Sequence, residues 1–326
     1  MLVVELKNNL SVRELGGKGY SLGVLIKNNF DVHYPWNADQ YLLFNFLKYN
    51  DLTKKIEKLT SEICKNNFQE KTKEIKNLIS EGEVPEDLAS EIKNHLNKLN
   101  VQYVSVRSSS VSEDSLKASF AGLHNTFLNV KAEPNVILEN VKKCWTSLFN
   151  ERAVIYRIKK EIPYLEGMAV VVQEMMPAQI SGITFTVHPT DEKNLLVETS
   201  YGIGDMIVGG KVEPDGYVVN RETLEIAEKK IGQKNKMSII KREGIEVVDV
   251  EKEVAGRQVL FDKKIKEIAK ICLKVEKIFN YPQDIEWCVS NNKLWLLQSR
   301  VIMGVKRWRK NTKRSGAWHK LYYSYL

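Results

Sequence analysis

Cysteine, histidine and proline are all scarce in this chain, and no long apolar run occurs. The four cysteines, Cys64, Cys144, Cys272 and Cys288, lack the paired spacing of a zinc site or a secreted disulfide framework, so reduced thiols are expected. No stretch approaches the roughly eighteen apolar residues needed to span a bilayer. The opening Met1-Leu2-Val3-Val4-Glu5 lacks the basic start and apolar core of a secretory leader, and a cytoplasmic protein without membrane attachment is expected. Neither the complete phosphate-cradling loop ending in Gly-Lys-Ser/Thr nor the spaced dinucleotide fingerprint is present.

What the chain does have is the composition of a globular protein, with 43% hydrophobic and 28% charged residues. Its 326 residues suffice for two or three packed units. The 49 basic against 41 acidic residues leave a net charge of +8, which invites phosphate or nucleic-acid partners. Much of the surplus lies in residues 304–326, where Lys306, Arg307, Arg309, Lys310, Lys313, Arg314 and Lys320 alternate with Trp308, Trp318, Tyr322, Tyr323 and Tyr325 and no acid intervenes. Such a tail suits a solvated docking arm or a grip on nucleic acid.

Gly16-Gly17-Lys18-Gly19 reads as a glycine-rich turn feeding a helix. Residues 52–99 read as a charged helical stretch divided into two helices by Pro85. Tyr103-Val104-Ser105-Val106 reads as a strand running into Arg107 and the hydroxyls of Ser108, Ser109, Ser110 and Ser112. Helices are expected over 134–149 and 151–158, and strands over 168–175, 180–187 and 195–199. Phe261, Ile265, Ile268, Cys272, Val275 and Phe279 recur at helical spacing, which predicts a final helix packed on a sheet.

That sheet should end in two strands, 284–287 and 294–300, joined by the turn Ser290-Asn291-Asn292-Lys293. Alternation puts Asp284 and Glu286 on one face of the first strand, and Leu296, Gln298 and Arg300 together on one face of the second. A carboxylate, an amide oxygen and a guanidinium at Glu286, Gln298 and Arg300 suit a polyphosphate with its Mg²⁺; a solvated cross-strand Glu/Arg pair explains the same pattern. Lys18 sits where an ammonium can approach phosphate, or simply in a surface turn. Arg107 beside its serines suits an oxyanion, or a loop-fastening pair with Glu113 or Asp114. Gly122 and Thr126 suit a turn closing over phosphate, or only a turn and a strand entry. Gln173, Glu174 and Met176, where a buried strand ends, suit an adenine edge and its flat face, or an ordinary core exit.

In this order the sequence resembles the nucleotide-binding domain shared by phosphoenolpyruvate synthase, pyruvate phosphate dikinase and the rifamycin phosphotransferases, a variant of the ATP-grasp fold. The strings that carry the resemblance are Gly16-Gly17-Lys18-Gly19, Val106-Arg107-Ser108-Ser109-Ser110, Ala118-Ser119-Phe120-Ala121-Gly122, Thr126-Phe127-Leu128-Asn129 and Cys144-Trp145-Thr146-Ser147-Leu148-Phe149 with Arg152. They continue with Val172-Gln173-Glu174-Met175, Ser181-Gly182-Ile183-Thr184-Phe185-Thr186, Gly202-Ile203-Gly204, Val212-Glu213-Pro214-Asp215, Asp284-Ile285-Glu286-Trp287 and Leu297-Gln298-Ser299-Arg300.

The resemblance implies an α+β, ATP-grasp-like fold with an N-terminal lobe over 1–165, a helical insertion over 52–99, a C-terminal lobe over 166–303 and the basic tail over 304–326. Two lobes would clasp nucleotide. It implies ATP and Mg²⁺, with Lys18, Arg107 and Arg300 at the phosphates, Gly122 and Thr126 in a covering loop, Gln173, Glu174 and Met176 at adenine and ribose, and Glu286 and Gln298 on the metal. It also implies a phosphotransferase that passes a phosphoryl group to a histidine for relay to pyruvate or a related acceptor. None of His33, His95, His124, His188 and His319 stands in the family's Gly-Gly-x-x-Ser-His-Ala context, so the carrier is expected on a separate domain or chain. A nucleotide-binding regulatory or docking module, and an ATP-grasp carboxylate-amine ligase, are the competing expectations. One departure concerns residues 28–37, where the family's Pro-Pro-Gly-Phe-like segment and short strand are replaced by Val32-His33-Tyr34-Pro35-Trp36, so an abbreviated N-terminal part is expected.

Overall fold

The computed structural model describes residues 3–6, 11–33, 35–39, 41–110, 125–160, 167–242 and 244–302. Ser112, Glu113, Asp114, Gly122, His124 and the tail over 304–326 lie outside the described residues.

The first half supplies β1 (Val3–Glu5), α1 (Val12–Lys27), β2 (Pro35–Ala38), α2 (Tyr41–Tyr49), α3 (Thr53–Ser61), α4 (Phe68–Glu81), α5 (Glu86–Leu99), β3 (Tyr103–Ser109), β4 (Thr126–Lys131), α6 (Pro134–Thr146), α7 (Glu151–Lys160) and β5 (Ala169–Glu174). Its strands form an antiparallel sheet in the order β1-β2-β5-β3-β4. Alternation decides what each face does. Val104, Val106, Val170 and Val172 point into a core with Ile56, Ile75, Ile92 and Val141 of the surrounding helices. Arg107 opposes Val171, and Ser105 opposes Gln173, on the other face. There Val171 meets Leu15 and Leu22 of α1.

The stretch over 52–99 forms three helices rather than two. Pro85 precedes α5 as expected, but a second break falls between Ser61 and Phe68, where the Asn67 side chain bonds the Cys64 amide and the Glu62 carbonyl. Asn67 satisfies backbone groups that a continuous helix would have paired. The strand that the departure at 28–37 put in doubt is present: β2 pairs with both β1 and β5, and α2 follows.

Gly16 to Gly19 do not precede the helix but lie inside α1, which starts at Val12 and is interrupted at Gly16, φ +68°. A Cβ at Gly16 would stand 1.9 Å from the Ser109 carbonyl oxygen, so only glycine lets α1 meet the end of β3. The Gly17 amide donates to the Ser110 carbonyl at 3.1 Å and the Gly19 amide to Ser109 Oγ at 3.1 Å. The serine cluster thereby serves as the dock for the glycine segment.

The second half supplies β6 (Ile180–Phe185), β7 (Asn194–Tyr201), α8 (Asp205–Val208), β8 (Asp215–Asn220), β9 (Ile226–Lys230), β10 (Lys236–Ile240), β11 (Ile245–Asp249), α9 (Lys252–Ala255), α10 (Asp262–Phe279), β12 (Gln283–Ser290) and β13 (Lys293–Val301). Six of these strands form an antiparallel sheet ordered β13-β12-β6-β7-β8-β9, and β10 and β11 make a separate hairpin. Ile265, Ile268, Cys272 and Val275 of α10 pack on Val197, Tyr217, Ile285 and Trp287 of one sheet face. Phe261 departs from the expected stripe: it is the N-cap of α10, with extended backbone outside the helical turns, and is 86% exposed. The architecture is a mixed α/β fold of α+β type. Helix α1 lies against β2, β3 and β5 of the first sheet and against β13 of the second.

Candidate nucleotide site

The hairpin β12–β13 turns through Asn291 and Asn292, both at positive φ, the conformation that a two-residue turn of the favoured hand requires. Ladder pairs then bring Asp284 opposite Arg300 and Glu286 opposite Gln298. The next pair is Trp287 with Leu296, so Leu297 is an extra residue in a β-bulge. This corrects the simple alternation: Leu296 joins Trp287 in the core, while Gln298 and Arg300 share the opposite face with Glu286 and Asp284.

The bulge also turns the Leu297 carbonyl toward the first sheet. There it accepts from Arg107 Nη1 at 2.9 Å, while Arg107 Nη2 donates to Gln298 Oε1 at 2.6 Å and to Glu286 Oε2 at 3.1 Å. Gln173 Oε1 lies 3.4 Å from Arg107 Nη1. One guanidinium, 9% exposed, thus joins the end of β3 to both strands of the C-terminal hairpin. The fork geometry of Arg suits this, since Lys could not serve four acceptors in fixed directions.

Lys18 is buried beside this junction, and its Nζ donates to the Ser108 carbonyl at 2.9 Å. Arg300 is held by Asp284, through Nε at 2.7 Å and Nη2 at 2.6 Å to the same carboxylate oxygen. Thr126 opens β4 opposite Arg107 and is exposed. Gln173 and Glu174 end β5, and Met176 follows, buried. Glu174 Oε2 accepts from His33 Nδ1 at 2.5 Å.

Two further acidic residues belong to this face: Asp284, which alternation placed there without a role, and Glu198, which the sequence did not single out. Asp284 is almost wholly buried, and burial raises its carboxyl above the ordinary range; Arg300 opposes that rise and Glu286 adds to it. Glu198 lies on the same ladder row as Glu286, each opposite Ile183. Its carboxyl is also raised, by burial and then by the charge of Asp284. The available signal was a lone acid in the apolar run Leu195-Leu196-Val197-Glu198. Because its ionised form is disfavoured in the folded state, stability falls as pH rises through and above the ordinary carboxylate range. Glu198→Gln is expected to raise the urea midpoint slightly at pH 7 to 8 and to match the wild type near pH 4. A variant less stable than wild type at pH 8 would show the charge to be useful.

Among the described residues no three His, Cys, Asp or Glu side chains converge as a complete metal site. The donor set nevertheless fits Mg²⁺. Hard oxygens of Glu286 and Gln298 stand side by side, and Mg²⁺ typically takes one or two protein ligands with phosphate oxygens completing the shell. Arg107 Nε and Asp284 Oδ1 are buried without hydrogen bonds among the described residues, which leaves polar capacity for an ionic ligand.

Comparison with known proteins decides the family: residues 12–317 match the pyruvate phosphate dikinase AMP/ATP-binding domain. The chain belongs to that family. Relatives include a probable phosphoenolpyruvate synthase of Methanocaldococcus jannaschii, 38% identical over an alignment of 321 residues that covers 94% of this chain and 27% of the relative. Another, from Archaeoglobus fulgidus, is 36% identical over an alignment of 318 residues that covers 94% of this chain and 42% of the relative. The phosphoenolpyruvate synthase of Pyrococcus furiosus is 38% identical over 257 residues, 73% of this chain and 31% of that protein. The chain therefore spans less than half the length of each. As a member of the dikinase AMP/ATP-binding family it is a nucleotide-binding domain homologous to the N-terminal domain of such enzymes.

Proposed function

We propose that this domain binds Mg²⁺-ATP between its two sheets and donates a phosphoryl group to a histidine on a separate domain or chain, for relay to pyruvate or a related acceptor. The observation that carries this reading is the Arg107 guanidinium of one sheet resting on Glu286 and Gln298 of the other. In this reading each sheet is the base of one lobe: the sequence boundary at 165/166 moves past β5 (Ala169–Glu174), which pairs with β2 and β3 of the first sheet, and residues 304–326 are a docking arm.

Phosphoryl transfer asks a protein chiefly for positioning and charge neutralisation. Lys18 and Arg107 would neutralise non-bridging phosphate oxygens, and Arg300 would join them by exchanging part of its contact with Asp284. Gly122 and Thr126 would cover the phosphates and exclude water. Gln173, Glu174 and Met176 would hold adenine and ribose. Glu286 and Gln298 would hold Mg²⁺, which when bound screens charge and aligns the phosphates. The imidazole of the partner would attack the β-phosphorus in line as its bond to the AMP oxygen breaks, and the pyrophosphoryl group left on the histidine would then lose its γ-phosphoryl to water or phosphate, leaving the phosphohistidine for relay.

The test mixes the chain with a phosphohistidine domain and ATP labelled at the β or γ position. Acid-labile label on the partner with AMP release is the expected result. ADP formed only with a carboxylate and an amine would favour ligation instead, and ATP binding with no transfer to any such partner would favour a docking module.

A further inference from the structure

The segment before β2 touches the proposed nucleotide site directly, through Gln173 and Glu174. Asp31 and His33 are stitched to both sheets. The Leu296 amide donates to the Asp31 carbonyl at 2.9 Å, and Lys293 Nζ pairs with the Asp31 carboxylate at 2.6 Å. The His33 ring lies against the Trp295 indole, centroids 4.0 Å apart and tilted by 48°, while Lys293 Nζ stands 4.1 Å from the same indole centre. On its other side His33 meets Glu174 at 2.5 Å, and its carbonyl accepts from Gln173 Nε2 at 3.4 Å.

This arrangement fixes a carboxylate. An ionised carboxylate only accepts, so in this contact the proton is on His33 Nδ1. Trp295 restricts the ring, and the ring restricts Glu174 Oε2. The second oxygen of Glu174 makes no hydrogen bond among the described residues, and the side chain is 31% exposed, against 19% for His33. A carboxylate with one oxygen clamped and the other open suits a hydroxyl donor, and a ribose diol has two to offer.

We propose that His33 is a positioning residue for ribose recognition: held by Trp295, it orients Glu174 so that the open oxygen accepts from a ribose hydroxyl and the domain discriminates ribonucleotides from deoxynucleotides. This inference rests on the nucleotide site proposed above. His33 does not touch the reacting phosphates, and its effect passes through Glu174.

The experiment measures Mg²⁺-ATP and Mg²⁺-2′,3′-dideoxyATP affinities by calorimetry for wild type, His33→Ala and His33→Asn. Wild type should prefer ATP by about tenfold or more, the worth of one hydrogen bond to a charged acceptor. His33→Ala should erase most of that preference by weakening ATP while leaving dideoxyATP affinity unchanged. His33→Asn, whose amide can replace the Nδ1 donor, should restore it. Equal weakening of both nucleotides by His33→Ala, or no recovery in His33→Asn, would reduce His33 to a structural contact and overturn the proposal. Wild type that binds both nucleotides equally would refute ribose selection while sparing the site, whereas wild type that binds neither would remove the nucleotide reading and this inference with it.

Discussion

Arg107→Ala is expected to weaken Mg²⁺-ATP binding at least about a hundredfold, because a guanidinium that makes two charge-assisted bonds to phosphate contributes roughly 3 kcal/mol. It should also destabilise the free protein. Arg107 is the only cation among the described residues within ion-pair distance of Glu286, whose side chain is 21% exposed. Removing it leaves that acid, the Gln298 oxygen and the Leu297 carbonyl without their shared donor, a loss of about 2–3 kcal/mol. Arg107→Lys should recover part of the charge and little of the binding, since an ammonium cannot reproduce the fork. Calorimetry and urea denaturation read the two effects separately. Unchanged ATP affinity in a folded Arg107→Ala protein would remove the residue from the site.

Asp215→Ala is the second large effect, and it should be an effect on stability. Asp215 and Lys234 form an ion pair with both side chains fully buried. Asp215 also accepts from the Gly232 amide at 3.1 Å and the Val259 amide at 2.8 Å, while Lys234 reaches the Gly232 carbonyl at 2.8 Å. Every strong bond of the pair lies within the second half of the chain, fastening the segments on either side of β10 and β11. Truncating the acid strands a buried ammonium and two amides, which costs about 3–5 kcal/mol. Thermal unfolding should show a large fall in midpoint, with ATP affinity near wild type in the fraction that stays folded. A stable variant that has lost ATP binding would move Asp215 from the scaffold into the site.

The contrast between Arg107 and Asp215 shows what the sequence can carry. Both stand in strings shared with the family, and the string alone does not separate a site residue from a buried latch. Periodicity was informative where one face is buried along a whole element: the stripe Ile265, Ile268, Cys272, Val275 predicts α10 and its contact with the sheet, and Val104 with Val106 fixes which way Arg107 faces. It misled at Phe261, because spacing does not mark the residue at which the helix begins, and Phe261 stands one position before it in extended backbone. It misled again at Leu296, because one inserted residue reverses every later side chain and alternation carries no mark of the insertion. The serine run after Arg107 suggested an oxyanion site, yet Ser109 and Ser110 hold the glycine segment of α1. Contacts between residues far apart in the chain were the least legible: the cross-strand acid on Arg300 is Asp284 rather than Glu286, and neither the clamp of His33 on Glu174 nor the approach of Arg107 to the Leu297 carbonyl leaves any local pattern.

The face shared by Glu286 and Gln298 and met by Arg107 is proposed as the metal-nucleotide site. Its most direct test is calorimetric titration of ATP into wild-type protein and into Glu286→Ala, each with Mg²⁺ and with the metal chelated. Mg²⁺ should strengthen ATP binding to the wild type, and Glu286→Ala should lose most of this gain. Equal Mg²⁺-dependent binding by the two proteins would contradict this assignment.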